Sequence, residues 1–222
     1  MNAQPPDAPP RIRLPEALAL AAALTAASHA LPRVLAPPLF DAFPIAVTSL
    51  GYSNVVDLLS LAFGLLLVLP AARDSGLVRG RRPDARVAFV VLAPVVATAA
   101  VYPFLPVRPF ANERIGLWLI SPLAQDCLFN GYLNGLFART LPADARDAST
   151  SWRPGRQVLL ASAFFAAWHL PNLATIPVGY VLFQLAYTFA GAVLIGLTRQ
   201  WTGAMWYATL THMAANAIVW AS

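Results

Sequence analysis

Gln125, Asp126, Asn130, His169, His212 and Asn216 stand in stretches otherwise apolar enough to lie in a lipid bilayer. From Ile115 to Ala138 the only charged residue is Asp126. An ionisable group at membrane depth is costly, so it faces the protein interior and marks a functional site by default. The helical repeat puts Asp126 and Asn130 one turn apart on one face, with Gln125 about 100° round from Asp126. Phe165-Ala-Ala-Trp-His169 and His212-Met-Ala-Ala-Asn216 repeat the i, i+4 spacing, so each presents one inward-facing site. Three helices with convergent polar faces describe a buried active site. Asp126, His169 and His212 are also a ligand set of the kind found in zinc hydrolases, although nothing in their spacing requires a metal. Cys127, the only cysteine, excludes an intrachain disulfide and reads as a small apolar packing residue rather than a nucleophile.

The elements that must position these groups follow from composition. The 222 residues are 58% hydrophobic and only 11% charged, with a mean hydropathy of +0.60. A soluble domain carries about a quarter charged residues. The length accommodates six or seven membrane helices at about 20 residues each. The expected fold class is therefore all-α: a polytopic membrane helix bundle of about seven transmembrane helices, with the site in the C-terminal four-helix core.

In chain order, residues 1–13 are rich in proline and arginine and read as a disordered cytoplasmic tail. Residues 14–114 supply the N-terminal helices, and residues 115–222 the core. The run from Ala17 to Pro32 ends in Ser28-His29-Ala30, which resembles a signal-peptide cleavage site. A first helix continuing toward Ala36 fits the multi-spanning remainder better, with His29 a polar residue at its end. Pro37, Pro38 and Pro44 are expected to break the chain there. A weak apolar segment (45–53) and spans at Asn54–Ala72 and Val87–Val107 precede the helix that carries Asp126. The uncharged run from Gln157 to Thr198 is too long for one helix and is divided by Pro171 to Pro177. Arg199 to Gly203 is a tight connection, and Ala204–Ala221 the last span.

Every basic residue is arginine. With the N-terminus inside, seven spans leave twelve arginines in the cytoplasm and only Arg33, Arg108 and Arg114 outside, so the C-terminus lies outside. That loop distribution accounts for the net charge of +5 and excludes a basic nucleic-acid face. Asp57 with Asp126 could form a transporter's proton path, but no broken-helix repeat supports one.

The motifs then resemble the CPBP family of intramembrane proteases, which includes the type II CAAX prenyl endopeptidases and bacteriocin-processing or immunity proteins. That family carries Glu-Glu-x-x-x-Arg, Phe-x-x-x-His and His-x-x-x-Asn on successive core helices. Phe165/His169 match the second motif and His212/Asn216 the third; Gly191-Ala-Val-Leu-Ile-Gly196 and Thr202-Gly-Ala-Met-Trp206 are also family-like. The resemblance covers roughly residues 115–222. It implies an intramembrane endopeptidase acting on a membrane protein or peptide in the lipid bilayer; no cofactor is expected from the spacing, with zinc the weaker alternative. It further implies that His169 and the first-motif acid activate water while His212 and Asn216 stabilise the oxyanion. The first motif departs from the pattern. Gln125 stands for the general base and Asn130 for the arginine, and the only glutamates, Glu16 and Glu113, lie outside it. Asp126 is the one carboxylate left for the role. A catalytically lapsed relative that binds a membrane partner is the alternative. The arginine-only, alanine-rich composition fits a GC-rich bacterial genome.

If the altered motif has silenced the chain, Gln125→Glu with Asn130→Arg is expected to restore proteolysis. New protein termini in cell membranes, compared with the unmodified chain, are the measurement.

Overall fold

A computed structural model describes residues 12–43, 51–78, 80–101, 116–141 and 151–221. Among them every regular element is helical. The helices are α1 (Leu14–Ala42), α2 (Tyr52–Val68), α3 (Ala85–Val101), α4 (116–140), α5 (Arg156–Ala167), α6 (Val178–Thr202) and α7 (Met205–Ala221). Most of the expected N-terminal tail, the segment from Pro44 to residue 50, and the connection holding Arg108, Glu113 and Arg114 lie outside the described residues.

Large apolar side chains are exposed while several polar ones are buried. Leu66, Phe89, Leu92, Leu182 and Leu210 point outward, whereas Asp126, Asn130, Asn134, Thr198, Arg199 and His212 are buried. An apolar exterior with polar groups turned inward is the pattern a lipid environment selects. Helices α1 and α6 are long and apolar enough to cross a membrane. Helix α2 has 17 residues and α5 only 12, both shorter than the sequence suggests.

Helix α1 does not stop at its prolines. It runs through Pro32, Pro37 and Pro38 to Ala42. Pro37 lacks the N–H that would bond the Arg33 carbonyl one turn back. The Tyr52 hydroxyl donates to that carbonyl instead, at 3.4 Å. A neighbouring helix thus takes over the bond the proline loses, which is how prolines persist in membrane helices. His29 consequently lies within α1 rather than at its end, edge-on to Trp168 with centroids 5.3 Å apart.

Helix α4 sits at the centre. Its Leu128, Phe129, Leu133, Leu136 and Phe137 form one core with Ala17 and Ala21 of α1 and Ala161 and Phe165 of α5. Gly64 lets α2 lie flush on α4: a Cβ there would meet the Cys127 Cβ at 2.8 Å. Cys127 is accordingly a buried packing residue. Helix α4 is not uniform. It alternates π (Gly116–Ile120), α (Ser121–Asp126), π (Cys127–Leu133) and α (Asn134–Thr140) turns.

The arginine-bearing connections gather at one end. The 69–84 connection is fastened to the α6–α7 turn by Arg81 N–H on the Thr202 carbonyl at 2.6 Å and Met205 N–H on the Gly76 carbonyl at 3.1 Å. Trp206 Nε1 donates to the Leu77 carbonyl at 2.8 Å, and Arg139 Nη1 to Asp74 Oδ2 at 2.5 Å. Trp201 Nε1 reaches the Ser151 carbonyl at 2.8 Å. Asp84 caps α3 through the Arg86 N–H at 3.0 Å, and the Arg86 guanidinium holds its carboxyl below the usual range. Gly76 has φ +74°, and a Cβ there would stand 2.6 Å from the Gly203 carbonyl oxygen. Gly76→Ala is therefore expected to destabilise the protein by about 1–3 kcal/mol through left-handed strain and this clash. A lowered thermal midpoint of the detergent-extracted protein is the check.

Candidate active site

Asp126 ends the α-helical turn of α4 and is only 1% exposed. Its Oδ1 accepts a hydrogen bond from Asn130 Nδ2 at 2.6 Å, and its Oδ2 lies 3.4 Å from His212 Nδ1 of α7. Neither Oδ2 nor this Nδ1 has a hydrogen-bond partner elsewhere, so the facing pair is the main compensation for burying both. The i, i+4 relation expected of Asp126 and Asn130 holds although the helix widens to π between them. Gly196 of α6 gives Val158 of α5 room to approach beside Asn130. A Cβ there would lie 2.7 Å from Val158 Cγ1 and 3.6 Å from Asn130 Oδ1.

His169 lies just beyond α5. That helix stops at Ala167, and His169 leads into the 3₁₀ turn Leu170–Ala174, where Pro171 cannot continue an α-helix. Its Nδ1 is 3.2 Å from the Phe165 carbonyl. A carbonyl only accepts, so Nδ1 carries the proton and Nε2 keeps its lone pair. The Phe165 ring is wedged edge-on between the histidines, 5.5 Å from His169 and 5.7 Å from His212. Phe129 closes the other side of that ring at 5.3 Å. An apolar wedge of this kind fixes the spacing of the two imidazoles without consuming their hydrogen bonds.

Gln125, His169, His212 and Asn216 all line one cavity of about 260 Å³. Asp126 and Asn130 do not; they stand behind His212 as its backing. The expectation that Asp126 works on the cavity directly thus gives way to contact through an imidazole, because the 100° step from Gln125 to Asp126 turns the carboxylate toward α7. Gln125 Nε2 is anchored to Ser121 Oγ at 2.9 Å, leaving its carbonyl as the acceptor. Among the described residues no three His, Cys, Asp or Glu side chains converge closely enough to hold a metal ion.

Helix α6 supplies a wall of the cavity that spacing did not reveal: Tyr187, Thr188 and Gly191. These residues are apolar or weakly polar within a long apolar run, and such a run carries no mark of which face meets a cavity. Arg199 was also misplaced by sequence. It belongs to the last turn of α6, buried, rather than to the connection. Its position one turn before Gly203 was the available signal.

The Type II CAAX prenyl endopeptidase Rce1-like family matches residues 109–218, a range that contains all six site residues. The C-terminal half of this chain belongs to that family. Membership identifies a membrane protein of protease type, from a family that acts on membrane-associated protein substrates. No curated protein and no solved structure matches the chain.

Gly191 faces the cavity, and an added Cβ would touch nothing within 4 Å. Gly191→Leu is expected to keep the thermal midpoint, since a surface or cavity-facing substitution without contacts costs within about 0.5 kcal/mol. The same change should raise the KM of any substrate that enters the cavity roughly tenfold or more.

Proposed function

We propose that the chain is an intramembrane endopeptidase that hydrolyses a membrane-associated protein or peptide at this cavity. The observation that carries the reading is the placement of two imidazoles and an asparagine on one cavity, with a buried carboxylate behind one imidazole.

An amide cannot accept a proton, so Gln125 is not the base. That role goes to His212, whose Nδ1–H faces the Asp126 carboxylate. Asp126 fixes the tautomer and stabilises the imidazolium, as an acid behind a histidine does in hydrolases generally. His212 Nε2 takes a proton from a water as its oxygen adds to the scissile carbonyl carbon. His169 Nε2 accepts the water's other hydrogen and orients it, and the Asn216 amide donates to the developing oxyanion. His212 then returns its proton to the departing nitrogen. The C–N bond breaks, leaving a new carboxyl and a new amine terminus.

In this reading residues 14–114 are N-terminal membrane helices and 115–222 the catalytic core of a seven-span bundle in a bacterial cell membrane. The arginine-rich end is cytoplasmic, with the N-terminus inside and the C-terminus outside. His212 lies seven residues along α7 from Met205, about 10 Å from that end, which sets the chemistry in the cytoplasmic half of the bilayer.

Asp126→Asn keeps the shape but removes the charge that orients His212. It is expected to lower cleavage about 10²–10⁴-fold while the protein still inserts. Mass-spectrometric mapping of new termini in membranes of cells with wild type, variant or no copy is the measurement. Undiminished termini in the variant would remove Asp126 from the mechanism. Identical termini in all three strains would return the function to binding.

A further inference from the structure

Arg199 is a full guanidinium, 6% exposed, in the last turn of a helix within an apolar bundle. Burying such a charge is costly unless its hydrogen bonds are met. The bonds it donates end on backbone carbonyls of two other elements. Nη1 donates to the carbonyls of Ser75 and Asn130, and Nη2 to that of Asp74 at 2.7 Å. The nearby Asp74 carboxylate is itself engaged by Arg139. A residue serving only the dipole of its own helix would bond that helix's terminal carbonyls; Arg199 reaches outward instead.

Its target matters. Asn130 lies in the π-helical stretch Cys127–Leu133, where the hydrogen-bond ladder departs from the α pattern and the turn is held less firmly by its own helix. The Asn130 side chain is also the donor to Asp126 Oδ1. One residue therefore receives Arg199 on its backbone and delivers a hydrogen bond to the carboxylate. Arginine's planar fork suits this task, because a single rigid group can clamp several carbonyls at once.

We propose that Arg199 is a positioning residue for the active site: it pins the Asn130 turn of α4 to α6 and to the 69–84 connection, keeping the Asn130 amide aimed at Asp126. Only the kinetic part of its test rests on the endopeptidase reading. The carboxylate stretch of Asp126 is isolated as the infrared difference between wild type and Asp126→Asn in nanodiscs. In Arg199→Lys and Arg199→Gln that band is expected to move to the frequency found in Asn130→Ala, with helix content retained. With a synthetic peptide spanning a mapped cleavage site, kcat should fall on the order of tenfold to a hundredfold at unchanged KM. Adding Arg199→Gln to Asn130→Ala should then change kcat less than twofold, because both act on the same contact.

A band that stays at the wild-type frequency in either folded variant overturns the proposal, as do additive losses in kcat. Failure of both variants to insert overturns it in favour of a purely structural arginine. If wild type cleaves nothing, the endopeptidase reading fails, while the infrared comparison still decides the role of Arg199.

Discussion

The structure depends on one constraint: a carboxylate buried in an apolar bundle must be met by partners from more than one helix. Asp126 meets it with an amide from its own helix and an imidazole from α7. Losing both would leave a buried group unpaired, at a cost of several kcal/mol. Helices α4 and α7 are thereby tied at a defined rotation. Phe165 from α5 is wedged against the imidazoles on the same pair.

The surrounding architecture serves that tie. Small residues at contacts, such as Gly64 against Cys127 and Gly196 against Val158, bring helices close enough for short polar side chains to meet. The π turn Cys127–Leu133 widens α4 just after Asp126 and holds Asn130, and such turns recur at functional sites. The cavity that results has Gln125, His169, His212 and Asn216 on one side and the largely apolar face of α6 on the other.

Gln125 illustrates how the division of labour shifts. It lines the cavity where the related motif has an acid, and it is held by Ser121. The acid that remains, Asp126, is the motif's second, one residue further along the chain and so on another face. A carboxylate there does not line the cavity; it faces His212, which does.

Much was legible in the chain itself. The all-helical character follows from long apolar runs, because lipid admits only helices or closed barrels. Asp126, Asn130, His169, His212 and Asn216 were legible for the same reason: polar side chains in such runs are rare enough to stand out. Tertiary structure decided the rest. The continuation of α1 through Pro37 depends on Tyr52 from α2, and the inward path of Arg199 depends on carbonyls of α4 and the 69–84 connection. So does the choice of His212 rather than the cavity as the neighbour of Asp126. Residue type and spacing report what a helix can present; which partner it meets is set by the rotation and approach of other helices, and those are properties of packing.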